Sequence, residues 1–262
     1  MKGITVLLTA ILMLAFSSCN NSKKKSMNEY EKGTYGYDLN FLKEKDKGLI
    51  VLKGDNEKAE VIVSPKYQAK VFTSTSNGPD GTSLGFVNHD VLNSDVPDEH
   101  MNGYGGENRF WLGPEGGQFS IFFERGREQV FNNWHTPKAI DVEPWDVKEV
   151  LSTEVSLAKD MELNNYQGNI LKISADRKIK LLSSGQVEQE LEVQLPEGIN
   201  VVAYSTVNKI TNLNDFQWDE KTGTVCIWML DMFNPSDSAA TIVPYNVSDE
   251  KEPGIIATTG YF

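Results

Sequence analysis

Residues 49–73 read LIVLKGDNEKAEVIVSPKYQAKVFT. Three runs stand out: Leu49-Ile50-Val51-Leu52, Ala59-Glu60-Val61-Ile62-Val63 and Ala69-Lys70-Val71-Phe72-Thr73. Each is short and rich in β-branched residues. Lys53-Gly54-Asp55-Asn56, between the first two, carries the glycine and polar residues that tight turns select. Short β-branched runs bounded by turn chemistry predict strands.

The same pattern extends outward. It continues in Gln118–Phe123, Val150–Leu157, Ile170-Leu171-Lys172-Ile173 and Lys178–Leu182, and later in Ile199–Ile210 and Thr224–Leu230. Ser76–Gly81 and Lys221-Thr222-Gly223 supply further turns. Many short strands with few helices predict an all-β fold, a large antiparallel β-sandwich. Two short helices fit beside it. Asp38 is the expected cap of a helix over 39–45, with Leu39 and Leu42 on one face. Ser184 is the expected cap of another over 186–191, bearing Val187 and Leu191; Glu188, Glu190 and Glu192 also suit an alternating strand there.

The chain has 262 residues, 39% of them hydrophobic, and 37 Asp+Glu against 25 Lys+Arg. That composition is ordinary for a globular protein and excludes collagen, coiled coil and wholesale disorder. A net charge of -12 argues against duplex nucleic acid, whose phosphates need a concentrated basic surface. It argues equally against electrostatic docking on anionic lipid.

The N-terminus reads as an address. Met1-Lys2 is followed by an apolar run from Ile4 to Phe16 and then by Ser17-Ser18-Cys19. The run is too short to span a membrane and has the build of a secretory signal. Ala15-Phe16-Ser17-Ser18-Cys19 resembles a bacterial lipobox, which makes Cys19 the expected acylation site and the lipid bilayer a partner; two acyl chains anchor stably. The domain plan is a signal peptide at 1–18, a lipidated Cys and polar tether at 19–32, and one β-sandwich domain at 33–262. Lys23-Lys24-Lys25 in the tether, in place of acidic residues, favours the periplasmic face of the outer membrane. With Cys19 acylated, Cys226 has no disulfide partner, and its apolar run predicts a buried small hydrophobe.

Asn102–Gln118, NGYGGENRFWLGPEGGQ, is the most unusual stretch. Glycine at this density permits close backbone approach and positive-φ turns. Trp111 offers a flat face, Arg109 a planar fork of donors, and Glu107 and Glu115 acceptors. With Asn102 and Tyr104 they are the expected ligand-binding residues of a carbohydrate pocket. Glu107, Glu115 and His135 are the candidate catalytic groups, with His89 behind them. The competing reading makes the stretch a packing element in which Arg109 pairs with a Glu and Trp111 fills the core. No phosphate loop and no Gly-x-Ser-x-Gly elbow occurs. His89, His100 and His135 lie in separate segments without metal-ligand spacing, so neither a metal nor a cofactor is expected.

GGENRFWLGPEGGQFSIFF (105–123) resembles the central signature of an uncharacterised bacterial lipoprotein family, a domain of unknown function. GTYGYDLNFL (33–42), KVFTSTSNGPDGTSLGFVN (70–88) and VNKITNLNDFQWDEKTGTVCIWMLDMFNPS (207–236) fit the same family. That family is similar in turn to the galactose mutarotase-like superfamily. Asn208 to Asn212 and Gly105 to Trp111 carry this second likeness. It implies a supersandwich with a concave carbohydrate-binding face, C-terminally incomplete in this chain, which stops at Tyr261-Phe262. It also implies departures from aldose epimerases. Tyr104-Gly105 stands where their catalytic His-Gly step falls, no His lies near Ile227–Leu230, and the late acids are Asp249, Glu250 and Glu252 in a polar turn.

Three functions are compatible with these residues. The first is a lipid-anchored carbohydrate-binding protein. The second is a sugar epimerase or mutarotase-like enzyme using Glu107 or Glu115 with Arg109. The third is a structural envelope lipoprotein without ligand.

Overall fold

The computed structural model describes residues 29–54, 58–94 and 96–243. The expected signal peptide, Cys19, and the late acids Asp249, Glu250 and Glu252 lie outside the described residues. Among the described residues nine strands form three antiparallel sheets, with a few short helices between them, an all-β, sandwich-like architecture. The strands are β1 (Ile50–Lys53), β2 (Glu60–Ser64), β3 (Lys70–Thr75), β4 (Arg109–Gly113), β5 (Asp146–Val150), β6 (Glu154–Asn164), β7 (Ile170–Leu181), β8 (Tyr204–Asn212) and β9 (Cys226–Leu230).

β5-β6-β7-β8 make the large sheet. β6 and β7 pair in unbroken register from Glu154 opposite Lys180 to Asn164 opposite Ile170. Along β7 the odd positions Leu171, Ile173, Ala175, Arg177, Ile179 and Leu181 are all buried, and Lys172, Asp176 and Lys178 are exposed. This strict alternation is what a sheet with one solvated face requires.

β1-β2-β3 make a second sheet whose β2 and β3 are buried at every position. Val61, Val63 and Val71 join the main core with Leu157, Ile173 and Ile179. Ile62 and Phe72 point the other way and pack with Tyr35, Phe41 and Leu42 of α1 (Tyr35–Lys45). A strand covered on both faces loses the polar half of its alternation, which explains the near-continuous apolar runs of 59–73.

β4 pairs with β9 as a two-stranded ribbon, Trp111 opposite Trp228. Arg177 ties the layers together from inside. It donates to Ala69 O at 3.0 Å, to Asn208 Oδ1 at 2.7 Å and to Asn108 Oδ1. Burial lowers its guanidinium pKa to about 10.

Several expectations are corrected. Thr34, not Asp38, caps α1, accepting from the Tyr37 N–H; Asp38 lies inside the helix and is buried. Ser183, not Ser184, caps α4 (Ser184–Leu191), in a capping box with Gln186. α2 (His89–Asn93), α3 (Lys138–Asp141) and a 3₁₀ turn at Phe131–Asn133 are additional. Gln118–Phe123 is not a strand: Gly116 and Gly117 break the chain there, and Ile121 and Phe122 enter the core from a loop. Val150–Leu157 divides between β5 and β6. Cys226 is an exposed free thiol rather than a buried hydrophobe, because its side of β9 faces away from the core.

Candidate functional site

The glycine-rich segment folds against the protein rather than around a hollow. Gly105 has φ +83°, and a Cβ there would lie 2.2 Å from the Phe86 carbonyl oxygen. Gly106 has φ +121°, and its Cβ would lie 2.3 Å from Lys70 Cδ. Both positions therefore need glycine, Gly105 because another backbone lies against it and Gly106 because its positive φ sits against the Lys70 stem.

β4 then carries Arg109 and Trp111 inward. Trp111 is 1% exposed. The Arg109 guanidinium lies 4.2 Å from its ring centre, Phe122 stacks on it at 5.7 Å and Trp228 meets it edge-on at 5.9 Å. The open indole floor expected from the sequence is thus replaced by a core residue, because β9 and the 118–123 loop close over β4.

Arg109 is also buried. Its NH2 donates to Asp141 Oδ1 at 2.9 Å and to Ile140 O at 3.2 Å. Its partner is this aspartate, from α3, rather than a glutamate of the loop. Asn102 Nδ2 donates to the same carboxylate at 2.8 Å. Asn102, Arg109 and Asp141 thus form a buried knot that pins the segment to α3, with Arg109 Nε left without a hydrogen-bond partner. Tyr104 sits beside it, 4.9 Å from the Tyr67 ring. Lys70 lies beneath, fully buried, with its Nζ 5.4 Å from the Tyr104 ring centre and without a hydrogen-bond partner. Burial, and then the neighbouring Arg109 charge, hold its amine well below the usual lysine range.

The two glutamates occupy different worlds. Glu107 is buried, accepting from Ser74 Oγ at 2.8 Å. Burial pushes its carboxyl up to about 7, against the pull of Ser74 and Tyr204. Glu115 is exposed and accepts from Trp111 Nε1 at 2.9 Å. His135 is exposed too. Its Nδ1 lies 2.8 Å from Glu99 O, and its ring stacks on His100 at 5.0 Å.

Glu115 and His135 flank a feature the sequence reading missed. A ladder of rings runs outward from the core: Trp111 on Phe122, Phe122 on Trp134 at 5.1 Å, Trp134 beside Phe131 at 6.4 Å, Phe131 on His100 at 4.5 Å. Where it surfaces, Glu115, Phe123, Gln129, Val130, Phe131 and Trp134 line an open cleft of about 370 Å³. Phe131 is 68% exposed. Gln129 holds the rim by bonding both the N–H and the carbonyl of Gly117 at 2.8 Å. The signal for it was two aromatic residues in the polar stretch 130–135, where only His135 drew notice. Among the described residues no group of three His, Cys, Asp or Glu is placed to hold a metal ion.

The fold and this surface define a β-rich, sandwich-like protein with a polar-edged aromatic cleft. The model of a family of unknown function, DUF6786, matches residues 33–262, and the chain belongs to that family. No curated protein and no solved structure matches it.

Proposed function

We propose that the protein is a carbohydrate-binding lipoprotein of the bacterial envelope, anchored through acylated Cys19 and facing the periplasm from the outer membrane. The single observation that carries the binding reading is the exposed Phe131 ring beside Trp134, edged by the Glu115 carboxylate. A flat apolar face suits the C–H face of a sugar, and a carboxylate at its edge suits hydroxyl donors. The grouping with galactose mutarotase-like supersandwiches rests on the sequence resemblance at Gly105–Trp111 and Asn208–Asn212. Glu115 and His135 stay with the proposed site. Trp111 supports it from beneath, because its Nε1 donates to Glu115; Asn102 and Arg109 are bonded to Asp141, Glu107 to Ser74, and Tyr104 packs on Tyr67.

The test is a glycan array probed with the full chain bearing Cys19→Ser, followed by affinity measurements on hits. Phe131→Ala should weaken retention at least tenfold, about 1.4 kcal/mol, while its exposed position keeps thermal stability within about 0.5 kcal/mol. Unchanged retention in the Phe131→Ala/Trp134→Ala double variant would overturn the reading.

A further inference from the structure

A second cleft, about 470 Å³ in volume, lies between α1 and α2, away from the aromatic shelf. Its floor holds a hydrogen-bond chain that runs in one direction. The Gly85 N–H donates to Thr73 Oγ1 at 2.9 Å. The Thr73 hydroxyl lies 2.8 Å from Ser83 Oγ, against 3.4 Å to the Ser74 carbonyl. Ser83 in turn donates to Asp38 Oδ2. A hydroxyl has one proton to give, so Ser83 accepts from Thr73 and passes its own to Asp38.

Asp38 is 3% exposed. Its second oxygen, Oδ1, stands 2.8 Å from His89 Nε2. A carboxylate that accepts on both oxygens requires the ring proton on Nε2. Nδ1 of the neutral ring is then an acceptor, and among the described residues no hydrogen bond to the protein uses it. The ring is fixed from the side by Phe41 at 4.6 Å and Tyr37 at 5.5 Å. Its side chain is 21% exposed and lines the cleft.

The other polar groups around His89 divide into spent and open. Asn88 caps Val91 and donates to Gly103 O. Asn234 Nδ2 donates to the carbonyls of Ser83 and Gly85, both at 2.9 Å. Lys32 and Asp90 remain at the exposed rim, beside the half-exposed ring of Phe86. A buried carboxylate therefore sets an imidazole in one tautomer at the wall of the cleft, where its side chain is 21% exposed, with a cation, an anion and an apolar wall nearby.

We propose that this cleft is a second ligand site for a small polyhydroxylated molecule, one of whose hydroxyls donates to His89 Nδ1. Its sugar-sized ligand class rests on the carbohydrate reading above; the polarity of the site does not. Asp38 acts as a positioning residue, holding the tautomer, and Ser83 and Thr73 hold Asp38.

The full chain bearing Cys19→Ser, labelled with ¹⁵N-histidine, tests this by long-range ¹H–¹⁵N spectra at pH 8. The probes are glucose, galactose, mannose, N-acetylglucosamine and glucuronate. Before any sugar is added, His89 should carry its proton on Nε2; a proton on Nδ1 overturns the inference. At least one sugar should shift the His89 Nδ1 resonance, and silence across the panel overturns it. His89→Lys keeps a donor toward Asp38 and carries no acceptor, and should weaken that binding about tenfold. Equal affinity in that variant also overturns it. A silent His89 alongside array retention that depends on Phe131 sinks only this cleft. A responsive His89 alongside retention indifferent to Phe131 and Trp134 sinks only the aromatic shelf.

Discussion

Glu107→Gln should change how stability depends on pH, and the size of the change follows from where Glu107 sits. Its carboxyl, buried against Ser74 below Tyr204, has its pKa raised from 4.5 to about 7. Below pH 4.5 both the folded and unfolded chains hold the proton, so the site is neutral in each. Between pH 4.5 and 7 the unfolded chain releases the proton while the folded chain keeps it. Unfolding then becomes easier as pH rises, and the loss is complete above about 7. A shift of about 2.5 units at about 1.4 kcal/mol per unit amounts to about 3 kcal/mol. Gln cannot titrate, so this loss disappears in the variant. The unpartnered Glu107 Oε2 becomes a buried N–H₂ in Gln, which costs about 1–3 kcal/mol at every pH. The pH-dependent difference between variant and parent is therefore the informative quantity. Urea denaturation followed by tryptophan fluorescence at pH 5 and pH 8 measures it. The parent should lose about 2.5 kcal/mol more than the variant between the two, since part of the loss already falls below pH 5. Equal losses would refute the claim that burial holds this carboxyl protonated near neutrality.

Trp111→Ala should destabilise the fold by about 3–5 kcal/mol, as expected for a ring enclosed in the core; a thermal melt close to the parent's would show that the ring is dispensable. Asp141→Asn leaves the Arg109 charge buried without its counter-charge and should cost about 3–5 kcal/mol in urea denaturation, with Arg109→Met/Asp141→Leu recovering most of it. A single variant as stable as the parent would deny the pair that role. Cys19→Ser should move the exported protein from the membrane pellet to the soluble fraction; continued pelleting would count against acylation.

The arrangement of strands was partly readable and partly hidden, and particular residues show why. Alternation along 170–181 is a local property of one strand with one wet face, so it could be read directly. β2 and β3 could be read as strands but not as a middle layer, since what covers Ile62 and Phe72 is α1, more than a dozen residues away in sequence. Phe119 and Phe123 belonged to an apolar run that looked like a strand, yet among the described residues no strand pairs with it. Trp111 had two readings, platform or core filler, and the choice depended on where β9 and Phe122 pack.

Sequence alone determined the strand-dominated class, the turn positions, and the glycine-rich segment as an unusual element. These follow from side-chain period, backbone preference and apolar run length, which act over a few residues. Tertiary structure alone decided that the indole is enclosed and that Phe131 and Trp134 form the exposed aromatic surface. It also decided that Asp38 meets His89 across 51 positions. Those outcomes depend on pairing between segments distant along the chain, and a local pattern holds no record of which distant surface covers it.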